Sequence, residues 1–472
     1  MEIQRKFLKD AEKISFDLEH RRKIEHNISK YDVNVRKGKQ QFSDLDLARK
    51  KAANLKHKIL NDLDKYLIEF EISFEKNGGK VIWAPTKKDA VKEILSILKN
   101  VKATSVVKSK SIMTEELDIN DILEKKKIEA IETDLGEFIV QLAGEKPYHI
   151  LTPAMHKSKE DVAALYNQKF GLPDDSTPQQ IANFTREYLR DKFTEAGAGI
   201  TGANFLLADV GAVCLTENEG NALMSFSFPK VHIVVAGIEK LIPSINDLQL
   251  FWPLLSTYGT GQKVTAYNSI IFGPKKEGEA DGPEEMYVIL LDNRRTQVLK
   301  QERTRRALSC IRCGACLNAC PIYRNIGGYT YNTVYTGPIG SVITPYLENM
   351  RDYRHLSYAS SLCGKCTDVC PVSIPLHELL LVNRHESVEQ GLATGGEKFV
   401  MHNMRKVLLS RSMMNMSGSF KNALFRNFFA SAWGPRRELP HLESRTFNRL
   451  WKEQQARIQK SVREEEEEEE KG

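Results

Sequence analysis

The chain has 472 residues, of which 41% are hydrophobic, 8% aromatic and 28% charged, and its formal net charge is +6. That composition is ordinary and globular, and the length suits two or three domains; a mostly disordered chain, a collagen-like chain and a small disulfide-stapled module are excluded. The charge is too mild for a chain-wide nucleic-acid footprint.

Met1–Glu19 is charged throughout and lacks the apolar h-region of a signal peptide. The longest apolar run, near Val231–Ile238, is far short of the roughly 20 residues of a membrane span. The expected location is therefore the cytoplasm, where disulfides are rare. A peripheral position on the inner face of the membrane is the alternative.

Residues 1–69 read as an N-terminal helical segment. Leu45, Ala48, Ala52, Leu55, Ile59, Leu63, Leu67 and Phe70 recur at helical spacing and share one face. Asn77-Gly78-Gly79 ends that element. Residues 70–300 then alternate strand and helix signals. Strands are predicted at Lys80–Trp83, Ser105–Lys108, Ile128–Thr133, His149–Leu151, Asn204–Ala208, Ala212–Thr216 and Val231–Val235. Helices are predicted after the Thr86/Asp89 capping box, at Thr114–Lys125 and from Pro178 to Thr194. The alternation predicts an α/β domain with a mainly parallel sheet covered on both faces. Residues 301–395 hold few strand signals and most of the cysteines. Residues 396–463 form a basic helical region; 401–463 carries 13 Lys+Arg against 3 Asp+Glu. Residues 464–472, with seven consecutive glutamates at Glu464–Glu470, read as a self-repelling disordered tail.

Seven of the eight cysteines fall between Cys310 and Cys370. In a reducing compartment such crowding points to metal or redox chemistry. Cys310-x2-Cys313-x2-Cys316-x3-Cys320-Pro321 matches the two-cluster bacterial ferredoxin run. Cys363-x2-Cys366-x3-Cys370-Pro371 echoes it. In that arrangement three closely spaced thiolates wrap one cluster, and the fourth, before proline, serves the other. The first cluster then takes Cys310, Cys313, Cys316 and Cys370. The second takes Cys320, Cys363 and Cys366, and its fourth position by spacing is Ser360. Three outcomes stay open for it: a [4Fe–4S] cluster with a non-cysteine fourth ligand, a [3Fe–4S] cluster, or a site completed by a partner or ligand. Zinc sites commonly use two separated C-x2-C pairs, which the third cysteine and the two Cys-Pro endings do not fit. Cys214, in an apolar run, reads as core.

Weaker signals lie elsewhere. Lys108, Ser109 and Lys110 follow a strand, where α/β sheets bind ligands, and form a candidate anion site; Glu219 and Asn221 belong to a second polar loop after a strand. Gly197–Gly202 satisfies G-x-G-x-x-G but lacks the strand-before, helix-after context, so it is expected to be a turn ending a helix. His149, His156, His232, His355, His377 and His385 are scattered, and no local pattern selects one as catalytic. The basic segment carries Phe420, Phe425, Phe428, Phe429, Trp433, Phe447 and Trp451. Docking to a partner, a solvated helical surface and binding of nucleic acid or lipid are its alternatives, and nucleic acid is not expected.

Cys310–Tyr323 (CIRCGACLNACPIY) and Ser360–His377 (SSLCGKCTDVCPVSIPLH) resemble the LutB/LldF family of lactate-utilisation iron–sulfur proteins. Val107–Glu116, Glu132–Gly144, Ile200–Phe205 and His232–Lys240 agree with it in order. The resemblance covers about 65–395 and includes the seven-cysteine pattern. It implies a lactate-utilisation (LUD) domain similar to NagB and CoA-transferase proteins, followed by a helical ferredoxin-like domain with two [4Fe–4S] clusters. It further implies a part in oxidising L-lactate to pyruvate, with two partner subunits (one cysteine-rich, one LUD-domain protein) and an acceptor such as a quinone or respiratory carrier. This chain is expected to carry electrons rather than to be the catalytic subunit. The rival readings are a lactate oxidoreductase using the α/β domain and an open-site cluster, and a redox-sensing binding module. Composition and spacing alone reach a two-cluster electron carrier fused to an α/β domain.

Overall fold

A computed structural model describes residues 2–416, 418–433 and 438–469. The chain forms two compact units, Met1–Gln390 and Gly391–Gly472. The helical periodicity of residues 45–70 folds as two helices, Leu45–Asn61 and Leu63–Lys76, separated at Asp62, where φ is −121° and ψ 36°. Helices Glu2–Ser15 and Leu18–Gly38 precede them.

Among the described residues ten strands follow: β1 (Lys80–Ala84), β2 (Ser105–Lys108), β3 (Glu129–Glu132), β4 (Ala198–Thr201), β5 (Phe205–Leu207), β6 (Ala212–Glu217), β7 (Val231–Gly237), β8 (Leu241–Ile242), β9 (Tyr267–Ile271) and β10 (Glu285–Leu291). The first sheet has six strands in the order β1-β10-β7-β4-β2-β3. Every pair in it is parallel. The second has four in the order β8-β5-β6-β9, with both β6 pairings antiparallel.

The parallel sheet is apolar on both faces, as crossover helices require. Along β7, Val231, Ile233 and Val235 pack with the helix Lys87–Asn100 and the two short helices after β2. Val234 and Ala236 face the second sheet and the helix Leu63–Lys76. Beyond β2 and β3, Val107 and Ile131 pack under helices Leu135–Leu142, Lys159–Phe170 and Pro178–Glu195.

Several local expectations change. Gly197–Gly202 is not a helix-terminating turn: Ala198–Thr201 is β4, buried between β2 and β7. Its glycine serves close approach, because a Cβ on Gly199 would lie 1.7 Å from the Ser225 carbonyl oxygen. His149–Leu151 is irregular rather than a strand, and Thr114–Lys125 is divided between helices Ile112–Glu116 and Ile119–Lys125 by Asp118 at φ 49°. The runs around β5 and β6 leave the parallel sheet for the second one. β8 to β10 carry no signal singled out in the sequence, although β10 is the neighbour of β7.

All carboxyl ends of the first sheet lie along one edge, and the cysteine region covers it. Glu116 after β2 accepts from Tyr335, Glu239 after β7 pairs with Arg312, and Lys87 after β1 pairs with Glu348 at 2.6 Å. One apolar core runs from Phe7 through Phe70, Phe205 and Leu254 to Cys316, Val342 and Leu380. The stretches 1–69, 70–300 and 301–390 therefore build one body.

In the second unit, helices span Gly395–Leu409, Arg411–Met414, Gly418–Trp433 and Phe447–Glu469. The last corrects the expectation of a disordered tail: Glu464–Glu469 are helical. Glutamate propagates a helix well, and Lys460 pairs with Glu464 one turn on. Glu470 lies outside the described residues. Phe420, Phe447 and Trp451 are exposed; the side chains of Phe425, Phe428, Phe429 and Trp433 are likewise outside what is described.

Candidate metal centre

The two cysteine motifs fold as near copies. Each is entered from a 3-10 turn, Arg305–Ser309 or Arg354–Tyr358. Two residues after the first position the backbone is left-handed at Arg312 (φ 62°) and Leu362 (φ 54°); two further on it is so again at Gly314 (φ 73°) and Gly364 (φ 79°). This curl turns amide N–H groups inward, a cradle for negative charge. The Arg312 amide donates to Cys310 Sγ at 3.4 Å, and the Leu362 amide donates to Ser360 Oγ at 3.1 Å. A short helix follows each, Ala315–Ala319 and Lys365–Asp368. Pro321 opens the next helix where its missing N–H costs nothing.

Chain crossing then sorts the thiols. Cys310, Cys313, Cys316 and Cys370 line one cavity of about 640 Å³. Cys320, Cys363 and Cys366 line a second, smaller one together with Ser360 and His377. Five of these cysteines are buried; in the second group Cys363 is exposed, and in the first Cys310 is half-buried. Burial, then the neighbouring Cys310, pushes the Cys313 and Cys316 thiols up. Burial likewise raises Cys366 and Cys370 to about 11. Cys363 is the opposite case: the Lys365 amide and the Ser361 hydroxyl hold its thiol below the usual value. Grouped thiols of this kind call for cations to hold them as thiolates. They ring cavities rather than a point, and among the described residues no three His, Cys, Asp or Glu are placed to hold a single ion. The donor set fits polynuclear iron–sulfur clusters.

A buried charge network mounts the first group on the sheet edge. Arg295, after β10, pairs at 2.8 Å with both Glu116 and Glu239. Arg312 reaches Glu239 at 3.4 Å and lies 4.5 Å over the Tyr335 ring. Burial alone would raise the Glu116 carboxyl, but the Arg295 charge and hydrogen bonds hold it at about 2. Lys56, lowered by burial to about 7, donates to the Glu239 and Leu241 carbonyls. Arg312 Nε and Nη1, both buried, have no hydrogen-bond partner among the described residues, and the side chain lines the larger cavity.

The candidate anion residues part company. Lys108 is buried against Glu132 (2.7 Å) and Glu115 (3.5 Å) and does not line the cavity. Ser109 is buried, its amide bonded to the Ile200 carbonyl. Lys110 does line the cavity while paired with Asp134 at 2.8 Å. Glu219 and Asn221 gather at the same helix start: Glu219 accepts from the Leu135 amide, and the Asn221 amide spans Glu217 and the Asp134 N–H. Among the histidines, His149 lines the larger cavity, kept neutral by burial that lowers it to about 4. His232 is buried against Thr201. Cys214 is buried in β6.

Sequence reasoning passed over Glu116, Glu239, Arg295, Arg312 and Tyr335. The available signal was a charged residue directly after an apolar strand, as at Glu239 after β7.

The LUD domain family matches residues 67–291, and the 4Fe-4S dicluster domain family matches residues 306–374. Proteins named Lactate utilization protein B from Bacillus cereus (strain AH820) and Bacillus thuringiensis (strain Al Hakam) are each 41% identical over 397 residues, 84% of this chain and 84% of theirs. The chain belongs to the lactate utilization protein B family. Lactate utilization protein B 2 of Bacillus mycoides (strain KBAB4) aligns to the same extent. A crystal structure of a DUF162 family protein from Deinococcus radiodurans overlaps 48% of this chain and 98% of its own, at 11% identity and a TM-score of 0.28. That likeness is too slight to bear on the fold. The family's iron–sulfur domain thus coincides with the residues that form the two thiol groups.

Proposed function

We propose that this chain is the iron–sulfur electron-transfer subunit of a complex that oxidises L-lactate to pyruvate. The curated relatives are named for lactate utilisation, and the cysteine region matches a dicluster domain. Cys310, Cys313, Cys316 and Cys370 hold one [4Fe–4S] cluster; Cys320, Cys363 and Cys366 hold the other. When bound, such clusters pass single electrons at potentials set by burial and by hydrogen bonds to sulfur. One observation carries the reading: the two thiol groups differ in depth, with the first against the sheet edge and the second containing exposed Cys363. A carrier needs an inner and an outer terminal of this kind. The Arg312 amide on Cys310 Sγ and the Glu239 carboxylate on the Arg312 side chain fix the inner group, while Cys363 presents the outer one to a partner.

The partners in this reading are a cysteine-rich subunit, a second LUD-domain subunit, and an acceptor such as a quinone or respiratory carrier. The location is cytoplasmic or peripheral to the membrane; among the described residues no helix is long and apolar enough to cross one.

The test is anaerobic purification, iron and sulfide analysis, and EPR after L-lactate and then dithionite. About eight irons, unresponsive to lactate and reduced by dithionite, is the expected result. The cavity beside Cys310, with Lys110 and His149 on its wall, favours one second reading, in which lactate binds this chain directly. Reduction by lactate alone would establish that reading in place of the first.

A further inference from the structure

We propose that Ser360 Oγ is the fourth protein ligand of the cluster held by Cys320, Cys363 and Cys366. This rests on the two-cluster reading above. The argument comes from the internal repeat. Ser360 stands three residues before Cys363, as Cys310 stands three before Cys313. The backbone repeats as well: the left-handed pairs Arg312/Gly314 and Leu362/Gly364 occupy equal offsets from Cys310 and Ser360. The side-chain atoms are placed alike, since Ser360 Oγ accepts the Leu362 amide as Cys310 Sγ accepts the Arg312 amide. Ser360 lines the same cavity as the three thiols.

Nearby alternatives are less well disposed. The Ser361 hydroxyl bonds to Cys363 and its residue is exposed. His377 also lines the cavity, its Nδ1 2.7 Å from Thr367 Oγ1, but it stands outside the repeat that sets Ser360 in the place of Cys310. On binding, the Ser360 hydroxyl releases its proton to solvent and the Oγ–Fe bond forms; the Leu362 N–H stabilises the oxygen's negative charge. An oxygen donor is harder than a thiolate, so this iron differs from its neighbours.

The experiment uses the full chain, enriched in 57Fe and purified anaerobically, with iron analysis, Mössbauer and EPR spectra before and after mild oxidation. The variants are S360A, S360C, S361A and H377A. The wild type is expected to keep about eight irons, with one iron site of oxygen-ligated character. S360A should lose about one iron per chain on oxidation and develop a three-iron EPR signal. S360C should hold the full iron count, lose the distinct site and shift the signal of the reduced second cluster. S361A should match the wild type. An S360A protein with unchanged iron and spectra overturns the proposal, as does a three-iron cluster in the wild type or iron loss in H377A alone. Were S360A to fail to fold, an S360C spectrum identical to wild type would overturn it equally. A wild type with only about four irons refutes the two-cluster reading itself, a result distinct from any outcome at Ser360.

Discussion

Glu116 and Arg295 form a buried pair, with Tyr335 and Asn293 completing the carboxylate's hydrogen bonds. Losing Glu116 leaves Glu239 as the remaining carboxylate for both Arg295 and Arg312, a buried charge imbalance that costs about 3–5 kcal/mol. E116Q should therefore lower the melting temperature markedly at pH 7. Because the folded carboxyl sits at about 2, below the ordinary value of about 4.3, its stabilisation is complete above that ordinary value and fades as pH falls toward 2. The gap between wild type and E116Q should narrow over the same interval; a constant gap in melting curves would refute the pairing. Arg312 makes a different prediction. Its Nε and Nη1 donors are buried without partners among the described residues, beside Cys310, and a donor to cluster sulfur raises the reduction potential. R312Q should keep its iron but shift the first cluster to a more negative potential in an EPR-monitored titration. An unmoved midpoint would remove that role.

The strands and turns show why some elements are legible in sequence and others are not. β7 is a continuous apolar run because both its faces are covered, and it is read directly. β4 is disguised: Ala198-Gly199-Ile200-Thr201 is glycine-containing because the helix Asn221–Ser227 presses on it. A methyl group at Gly199 would meet the Ser225 carbonyl, so G199A should destabilise by about 1–3 kcal/mol, seen as a lowered melting temperature with the cysteine groups untouched. A wild-type melt would show that the strand can yield there. The cysteine spacing is legible because it lies within short local runs that match a dicluster pattern. The carboxylates that brace it are not, since Glu116 and Glu239 are brought to Arg295 only by the parallel register of β2, β7 and β10.

The molecule divides near residue 390 and not near 300. The core that starts at Phe7 continues through the LUD sheet into the helix Gly337–Leu347 and on to Leu380. Truncation after residue 390 should leave a folded protein with unchanged iron content. Separate expression of 1–300 should instead give aggregating material, because Arg295, Glu239 and the apolar face that meets the cysteine region would be exposed. Soluble, cooperatively melting 1–300 would contradict the single core. In the second unit the helix Gly395–Leu409 buries no residue and exposes Phe399, Met401 and Leu409.

The amino-acid sequence determined on its own the α/β character of residues 70–300, the seven-thiol pattern and the family. Each rests on a local signal: alternation of strand and helix, ligand spacing within one short loop, or contiguous motifs. Tertiary structure alone decided that the cysteine region caps the carboxyl edge of the sheet and that Lys108 is enclosed by carboxylates while Lys110 reaches the cavity. Those facts depend on chain crossings between residues far apart in sequence, where burial and charge pairing choose the partners and no local pattern records the choice.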